Sequence, residues 1–138
     1  MQSSKEKFIE KRVRFYQSVI DIDNLQHSQR YKDLPESFII FICTEDPFNL
    51  NLPVYETKTV FKNTDTQYND DTHRIFFNAS AFEKAQDENV RKFLEFIHTK
   101  KSSDDFTSKI DEAAIIAKQN AAWRKEYMFL YDVIEDEK

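Results

Sequence analysis

The residue types that most often bind metals or act as nucleophiles are scattered along this chain. Its three histidines, His27, His73 and His98, lie far apart, and none occurs at the H-x-x-H or H-E-x-x-H spacing of zinc sites. The single cysteine, Cys43, closes the most apolar run of the sequence, which favours a small buried side chain over a reactive thiol. The histidines and the cysteine therefore predict no metal centre.

Two acidic pairs, Asp70-Asp71 and Asp104-Asp105, are the remaining candidates for a divalent cation. The first pair lies in a polar segment, where solvation accounts for it. The second pair opens a predicted helix, where the helix dipole favours acidic residues. We therefore expect no metal ligands in either pair.

The composition excludes several classes of binding site. The chain has no glycine in 138 residues, although an average content of about 7% would supply roughly ten. This rules out P-loops, G-x-G-x-x-G dinucleotide turns and G-x-S-x-G nucleophile elbows. The longest strictly apolar run, residues 38–43, is far shorter than a membrane span, and the first residues do not form an apolar signal region. We expect a cytoplasmic protein with no membrane partner.

A basic stripe on the first predicted helix is the candidate DNA-binding surface. Lys7, Lys11 and Arg14 share this stripe, and residues 1–32 carry seven basic and four acidic residues, a net charge of +3 in a chain of net charge -5. The stripe could contact phosphates, or it could be a solvated helix face. We expect weak, salt-sensitive DNA binding at most, because few phosphates could be neutralised.

Large side chains near the C-terminus form the candidate partner interface. Trp123, Tyr127, Leu130 and Ile134 follow a four-three-four spacing, which predicts one ridge along a helix. The ridge could pack into the core or dock against a partner, and both hypotheses remain open. Docking would favour a homodimer, because a two-fold contact uses the same patch twice.

The segments that carry these candidates form one predicted domain, residues 1–138. Apolar steps of four, three and four residues from Ile9 to Ile20 predict a first helix whose wide apolar face covers a sheet. The unbroken apolar residues 38–43 predict a strand buried on both faces, which is typical of parallel sheets. The other predicted elements are strands at 54–61 and 74–78, a polar loop at 63–72, and helices that begin after Asp87 and at Ser103.

One string of residues has a family likeness. Residues 12–21, Arg-Val-Arg-Phe-Tyr-Gln-Ser-Val-Ile-Asp, resemble the R-x-R-Y-Y-Q-S-x-x-D segment of the PD-(D/E)XK nuclease-family transposases, also called recombination-promoting nucleases. Residues 75–78 are similar to the family's I-F-L-N strand, and residues 120–128 to its N-x-E-W-R-x-E-Y-M ending. With residues 38–43 between them, these pieces keep one collinear order over roughly residues 1–130.

The resemblance implies an α/β fold, the C-terminal part of a restriction-endonuclease-like domain. It implies a long first helix packed on a short mixed sheet, followed by a helical C-terminal half. It places Gln2 and Gln17 at the family's catalytic region, with Gln17 turned toward Gln2. Ser28, Asn49 and Asp71 stand where the family tends to place turn glycines, and asparagine and aspartate tolerate the left-handed backbone of such turns.

The departures from the family concern its catalytic carboxylates. Met1-Gln2 is similar to only the last two residues of the family's E-M-Q triplet, and neither the glutamate before it nor the upstream aspartate occurs in this sequence. Hydrolysis in this family depends on Mg²⁺ held by two such carboxylates. The resemblance therefore implies Mg²⁺ for full-length relatives, but no cofactor and no cleavage for this chain alone.

Three functions follow as hypotheses. The first is a truncated, non-catalytic family member, regulatory or vestigial, that acts by association with itself or with a full-length relative. The second is an active metal-dependent DNA endonuclease whose carboxylates come from another chain or from upstream sequence. The third is a DNA-binding module that uses the basic stripe without cleaving.

Overall fold

The computed structural model describes residues 8–28, 30–100 and 126–132. These segments form α-helices and strands in the order α1 Ile9–Ser28, β1 Ser37–Cys43, β2 Val54–Glu56, β3 Thr59–Val60, β4 Gln67–Tyr68, β5 Thr72–Asn78, α2 Glu88–Lys100 and β6 Glu126–Asp132. Short 3-10 turns at Tyr31–Asp33 and Ala79–Lys84 precede β1 and α2. A helix that could span a bilayer, which needs about 20 mostly apolar residues, does not occur among the described segments.

The strand β1 lies inside a four-stranded sheet of order β2-β5-β1-β6. It pairs in parallel with β5 on one side and β6 on the other, with Ser37 opposite Thr72 and Glu126. The strand β2 runs antiparallel to β5, so the sheet is mixed, as predicted. The prediction of a buried strand at 38–43 is also confirmed, because Ile39 through Cys43 are all buried.

Both faces of β1 are covered, which explains its unbroken apolar sequence. Successive side chains of a strand point to opposite faces. On one face, Ile39, Phe41 and Cys43 pack with Ile9 and Val13 of α1. The other face holds a second apolar cluster, whose buried members are Ile40, Ile42, Ala79 and Ile97 of α2. The sheet therefore separates two helical layers, and a long first helix packed on a mixed sheet is the observed arrangement.

The buried face of α1 is narrower than the periodicity predicts. Ile9, Val13 and Ile20 are buried against the sheet, but the neighbouring large apolar residues Phe8, Phe15, Val19 and Ile22 are exposed. At 100° per residue, Phe15, Val19 and Ile22 cluster on a different side of the helix from the buried three, and Phe8 lies just before the helix. The expectation of one wide apolar face that covers the sheet is therefore wrong, because only part of the apolar surface of α1 contacts the sheet.

The helix predicted after Asp87 is confirmed as α2. Asp87 Oδ1 accepts a hydrogen bond from the backbone N–H of Val90 at 3.0 Å, which is the geometry of an N-cap. Leu94 and Ile97 are fully buried, and Phe93 and Phe96 pack against the second apolar cluster. The helix predicted from Ser103 lies outside the described residues.

The prediction of a helical C-terminal half is wrong for residues 126–132. These residues form β6, which pairs with β1 along its whole length, with Tyr127 opposite Phe38 and Leu130 opposite Phe41. A step of three residues does not return to the same face of a strand, so the helical spacing does not create the proposed interface ridge here. Aromatic residues fit strands as well as helices, and pairing with the open edge of β1 outweighs the helical period. Trp123 and Ile134 lie outside the described residues.

The predicted strand at 54–61 is divided between two sheets. Its first part, β2, pairs with β5, whereas β3 turns away and pairs with β4 in a separate two-stranded sheet. The segment predicted as a polar loop therefore contains a strand at Gln67–Tyr68. The exposed rings of Phe61 and Tyr68 meet edge to face at 5.9 Å across this hairpin.

Two of the three positions predicted to replace turn glycines have left-handed backbone. Asn49 and Asp71 both have φ of 63°. Asn51, with φ of 61°, is a further left-handed position that the sequence did not indicate. Ser28 is instead the last residue of α1 and is not among the residues with positive φ. Asparagine and aspartate supply these turns in a chain that has no glycine.

Candidate functional site

The side chain of Gln17 lies between α1 and the start of β1. It is only 8% exposed. Its Nε2 donates hydrogen bonds to Ser37 Oγ at 2.9 Å and to Asp21 Oδ1 at 3.2 Å. Gln17 thus faces the sheet and not the bulk solvent, in line with the expected orientation. Gln2 lies outside the described residues, so the pairing of the two glutamines stays a prediction.

The other amide atom of Gln17, Oε1, is buried and has no hydrogen-bond partner in the described part of the chain. An unpaired buried acceptor costs free energy, roughly 1–3 kcal/mol, so such groups are uncommon in native interiors. Here the acceptor is accompanied by the Asp21 carboxylate and the fully buried Ser37 hydroxyl. The three residues form a small polar cluster, the Gln17 cluster, beneath α1.

The Gln17 cluster continues along α1 as a polar row. Glu10, Arg14, Gln17 and Asp21 are spaced by four, three and four residues, which places them along one side of the helix. Glu10 and Arg14 from this row line a cleft of about 450 Å³ between α1 and the β5–β2 side of the sheet. The sheet contributes the charged side chains Glu56 and Arg74 to the same cleft, and Phe48, Tyr55 and Phe76 are its aromatic lining.

A hydrogen-bonded loop supports the aromatic side of this cleft. Tyr55 donates its hydroxyl to Asp46 Oδ1 at 2.7 Å, and the same carboxylate accepts the backbone N–H groups of Phe48, Asn49 and Asn51 at 2.8–3.1 Å. Partial burial alone would raise the pKa of Asp46, but these hydrogen bonds outweigh it and hold the pKa below its ordinary value. The Tyr55 ring also packs edge to face on Phe48 at 5.0 Å. The loop therefore positions both rings rigidly.

Burial and the Asp46 carboxylate act in the opposite direction on Tyr55. The partial burial of its hydroxyl, followed by the hydrogen bond to Asp46, raises the pKa of Tyr55 above its ordinary value. Tyr55 therefore stays protonated and serves as a donor in this loop. Its hydroxyl also accepts the backbone N–H groups of Leu50 and Leu52 at 3.1 and 3.3 Å. The arrangement is a structural support and supplies no general base.

The Gln17 cluster does not fit the two-carboxylate metal centre that the family resemblance implies. Its donors are one carboxylate from Asp21, one amide oxygen from Gln17 and one hydroxyl from Ser37. A Mg²⁺ ion that activates water on a phosphodiester relies on carboxylate ligands to offset its charge and fix its geometry. Among the described residues, no group of three or more histidine, cysteine, aspartate or glutamate side chains could hold a metal ion.

The predicted DNA-binding residues lie on the outer part of α1. Lys11 and Arg14 are both exposed and are three residues apart, whereas Lys7 lies outside the described residues. Arg14 is not part of an isolated basic surface, because it shares its cleft with Glu10 and Glu56. These acidic neighbours lower the positive potential that Arg14 would present to a phosphate backbone. DNA binding through this stripe stays a prediction.

Sequence reasoning missed the residues that the sheet contributes to the cleft. Arg74 and Phe76 are two positions apart on β5 and therefore share a face of the sheet. Phe76 belongs to the apolar cluster beneath α1, which places Arg74 on the same side as that helix. The alternation of residues within Thr72–Asn78 indicates that Arg74 and Phe76 share a face of the strand. The sequence does not show that α1 covers this face, so it could not assign Arg74 to the cleft.

Comparisons of the chain with protein-family models, with curated proteins and with solved structures find no match. The likeness to the PD-(D/E)XK nuclease-family transposases therefore depends on the sequence motifs at residues 12–21, 38–43, 75–78 and 120–128.

Proposed function

We propose that this chain is a non-catalytic relative of the PD-(D/E)XK nuclease-family transposases that acts by association with itself or with a full-length relative. The observation that carries the proposal is the composition of the Gln17 cluster. The glutamine of the family's helix motif is buried at the start of the central strand, but among the described residues the only carboxylate bonded to it is that of Asp21. The cluster keeps the helix attached to the sheet and offers no pair of carboxylates for a metal.

Association is favoured by a surface that is exposed in the described part of the chain. The outer side of α1 exposes several large apolar side chains in a chain that is otherwise rich in charge. Exposed apolar patches of this kind commonly mark interaction surfaces. A relative that keeps the fold and this surface could enter a mixed dimer and reduce the activity of a catalytic partner. This regulatory role is the function that we propose.

The proposal predicts that the purified chain does not cleave DNA. Supercoiled plasmid would be incubated with the chain and Mg²⁺ or Mn²⁺, with a full-length relative as the positive control. We expect no nicking above the background of a matched preparation of the Gln17→Ala variant, because the cluster lacks the carboxylates that such cleavage requires. Nicking by the wild-type chain that EDTA abolishes, and that Gln17→Ala removes while the exposed Gln26→Ala retains, would contradict the proposal.

One observation favours the second candidate, an endonuclease completed by carboxylates from elsewhere. The buried Gln17 Oε1 has no hydrogen-bond partner in the described part of the chain and lies beside the Asp21 carboxylate. Such an acceptor is suited to a water molecule or a cation that another segment helps to hold. Mixing the chain with a full-length relative separates the two candidates. Inhibition of the relative's nicking supports the regulatory role, whereas stimulation supports a completed nuclease.

A further inference from the structure

The exposed side of α1 carries a continuous apolar stripe that no described element covers. Phe8, Phe15, Val19 and Ile22 are 69%, 62%, 43% and 59% exposed. At 100° per residue, Phe15, Val19 and Ile22 lie within about 60° of one another around the axis of α1, and Phe8, whose φ is 60°, lies just before the first residue of the helix. Together they span residues 8–22, roughly 21 Å along the axis of α1. We call this set the α1 stripe.

The centre of the α1 stripe, Phe15 and Val19, can contact the same pair of a second copy when the two helices pack antiparallel. Phe15 and Val19 lie on one side of α1 four residues apart, and Phe8 just before the helix and the exposed Gln26 near its end lie seven residues beyond them in either direction. Because this spacing reads the same in both directions, an antiparallel second helix would place Phe8 of one copy opposite Gln26 of the other, and Phe15 opposite Val19. A two-fold contact requires such self-complementarity.

The charges of α1 also favour an antiparallel second copy. Between Glu10 and Arg14 the helix has three basic residues and one acidic residue, whereas the exposed Asp23 and its neighbour Asp21 follow in the second half. Antiparallel pairing places Lys11 of one copy at the level of Asp23 of the other, and it also opposes the two helix dipoles favourably. Parallel pairing would instead place the basic halves of the two helices at the same level, and likewise the acidic halves.

We infer that the α1 stripe is the contact of a symmetric homodimer in which the α1 helices of two copies pack antiparallel. This inference rests on the proposed function, since it names the surface and the partner through which the chain associates. The contact is a single helix pair with two phenylalanines per copy as anchors, and it lies at the small end of specific interfaces. We therefore expect a dissociation constant on the order of 10 µM.

Sedimentation equilibrium of the whole chain over a range of micromolar concentrations tests the surface. The double variant Phe15→Ser/Val19→Ser should weaken the dimer at least tenfold, since it removes the centre of the contact. The matched control is Leu50→Ser/Leu52→Ser, which changes two exposed leucines, 67% and 46% exposed, in the loop after β1. Circular dichroism should show unchanged folding in both variants, because all four side chains are exposed.

Cysteine pairs test the orientation, in a background in which the buried Cys43 is replaced by serine. A mixture of Phe8→Cys and Gln26→Cys chains should form a disulfide between unlike copies if the helices are antiparallel. Gln26→Cys chains alone should not cross-link, because the two thiols would lie roughly 27 Å apart along the axis. Efficient cross-linking of Gln26→Cys with itself would overturn the antiparallel arrangement.

The outcomes separate this inference from the proposed function. A dimer that the Phe15→Ser/Val19→Ser variant abolishes, and that the loop variant retains, supports the inference. A dimer that survives the stripe substitutions overturns the inference and leaves association intact. A wild-type chain that stays monomeric at about 200 µM, far above the expected dissociation constant, overturns the inference. The proposed function then depends on whether the chain inhibits a full-length relative in the mixing experiment, and loss of both self-association and inhibition would overturn both.

Discussion

The two helices flank the same sheet, but they use their apolar residues differently. The helix α2 buries Leu94 and Ile97 completely and packs its phenylalanines against the sheet. The helix α1 buries Ile9, Val13 and Ile20 and leaves the α1 stripe exposed on another side. Apolar periodicity therefore reports which residues share a helix face, but it does not report how many faces are covered. A helix with two apolar faces can serve the core with one face and a partner with the other.

The comparison predicts that one alanine substitution in each helix lowers the free energy of unfolding by very different amounts. Leu94→Ala should lower the free energy of unfolding by about 3 kcal/mol, because it removes a fully buried side chain and leaves a cavity. Phe15→Ala should change it by less than about 0.5 kcal/mol, because that ring is mostly solvated in the single chain. Urea unfolding followed by circular dichroism measures both values, at about 1 µM protein so that self-association does not contribute.

A similar loss of stability in both variants would break the comparison between the helices. It would show that the Phe15 ring is covered within the single chain, and the α1 stripe could not then be a free surface. A large loss for Leu94→Ala together with a small one for Phe15→Ala would instead support the division of α1 into a core face and a partner face.

A second difference between the helices is the polar residue on the buried face of α1. Gln17→Glu should lower the free energy of unfolding by about 2 kcal/mol at neutral pH, because a buried carboxylate would face the Asp21 carboxylate. Burial and the negative charge of Asp21 both raise the pKa of the introduced glutamate in the folded state above its value in the unfolded state. The loss of stability should therefore grow as the pH rises from the unfolded pKa toward the folded one, and it should vanish below the unfolded pKa.

The neutral variant Gln17→Leu is the control for this substitution. It removes the two hydrogen bonds to Ser37 and Asp21, but it also removes the unpaired Oε1 acceptor. The removal of the unpaired acceptor only partly offsets the lost hydrogen bonds, because the buried Ser37 hydroxyl loses its Gln17 partner, so we expect a loss of about 1–2 kcal/mol that does not depend on pH near neutrality. Urea unfolding between about pH 4 and 8 measures both variants. A pH-independent loss in Gln17→Glu would indicate that its side chain moves out to solvent.

The sequence predicted the centre of the fold better than its edges. Residues 38–43 are apolar without interruption because helices cover both faces of β1, and a short unbroken apolar run is typical of a strand in that position. The start of α2 was equally clear, because Asp87 precedes a regular apolar period. At 126–132 the spacing of large residues satisfied a helical period, yet the strand is selected by its pairing with β1, a contact between residues about 90 positions apart in the sequence.

The candidate site was less predictable than the fold. The burial of Gln17 followed from a motif likeness, but its partner Ser37 is 20 residues away, and nothing in the sequence linked the two. The cleft depends on Arg74, which comes near α1 because β5 pairs with β1, and on Glu56, which follows because β2 folds back on β5. Contacts of this kind are set by how the elements pack, so local patterns do not determine them.

A prediction of a different kind concerns DNA binding by the basic side of α1. If the basic stripe contacts DNA, about two or three phosphates would be neutralised, and the slope of log K against log salt would be roughly -1.8 to -2.7. Affinity should then fall about 10- to 40-fold between 50 and 200 mM salt.

Charge reversal tests whether the basic stripe itself contacts DNA. Lys11→Glu/Arg14→Glu should abolish most of the binding. The control Lys58→Glu/Lys62→Glu makes an equal change of charge at exposed positions around β3 and should have little effect. Fluorescence anisotropy with a labelled duplex measures each constant. Equal losses of affinity in the two variants would mean that binding depends only on the net charge of the chain, which is -5 in the wild type. Tight binding that persists at the higher salt would make α1 a DNA-binding helix instead of a dimer contact.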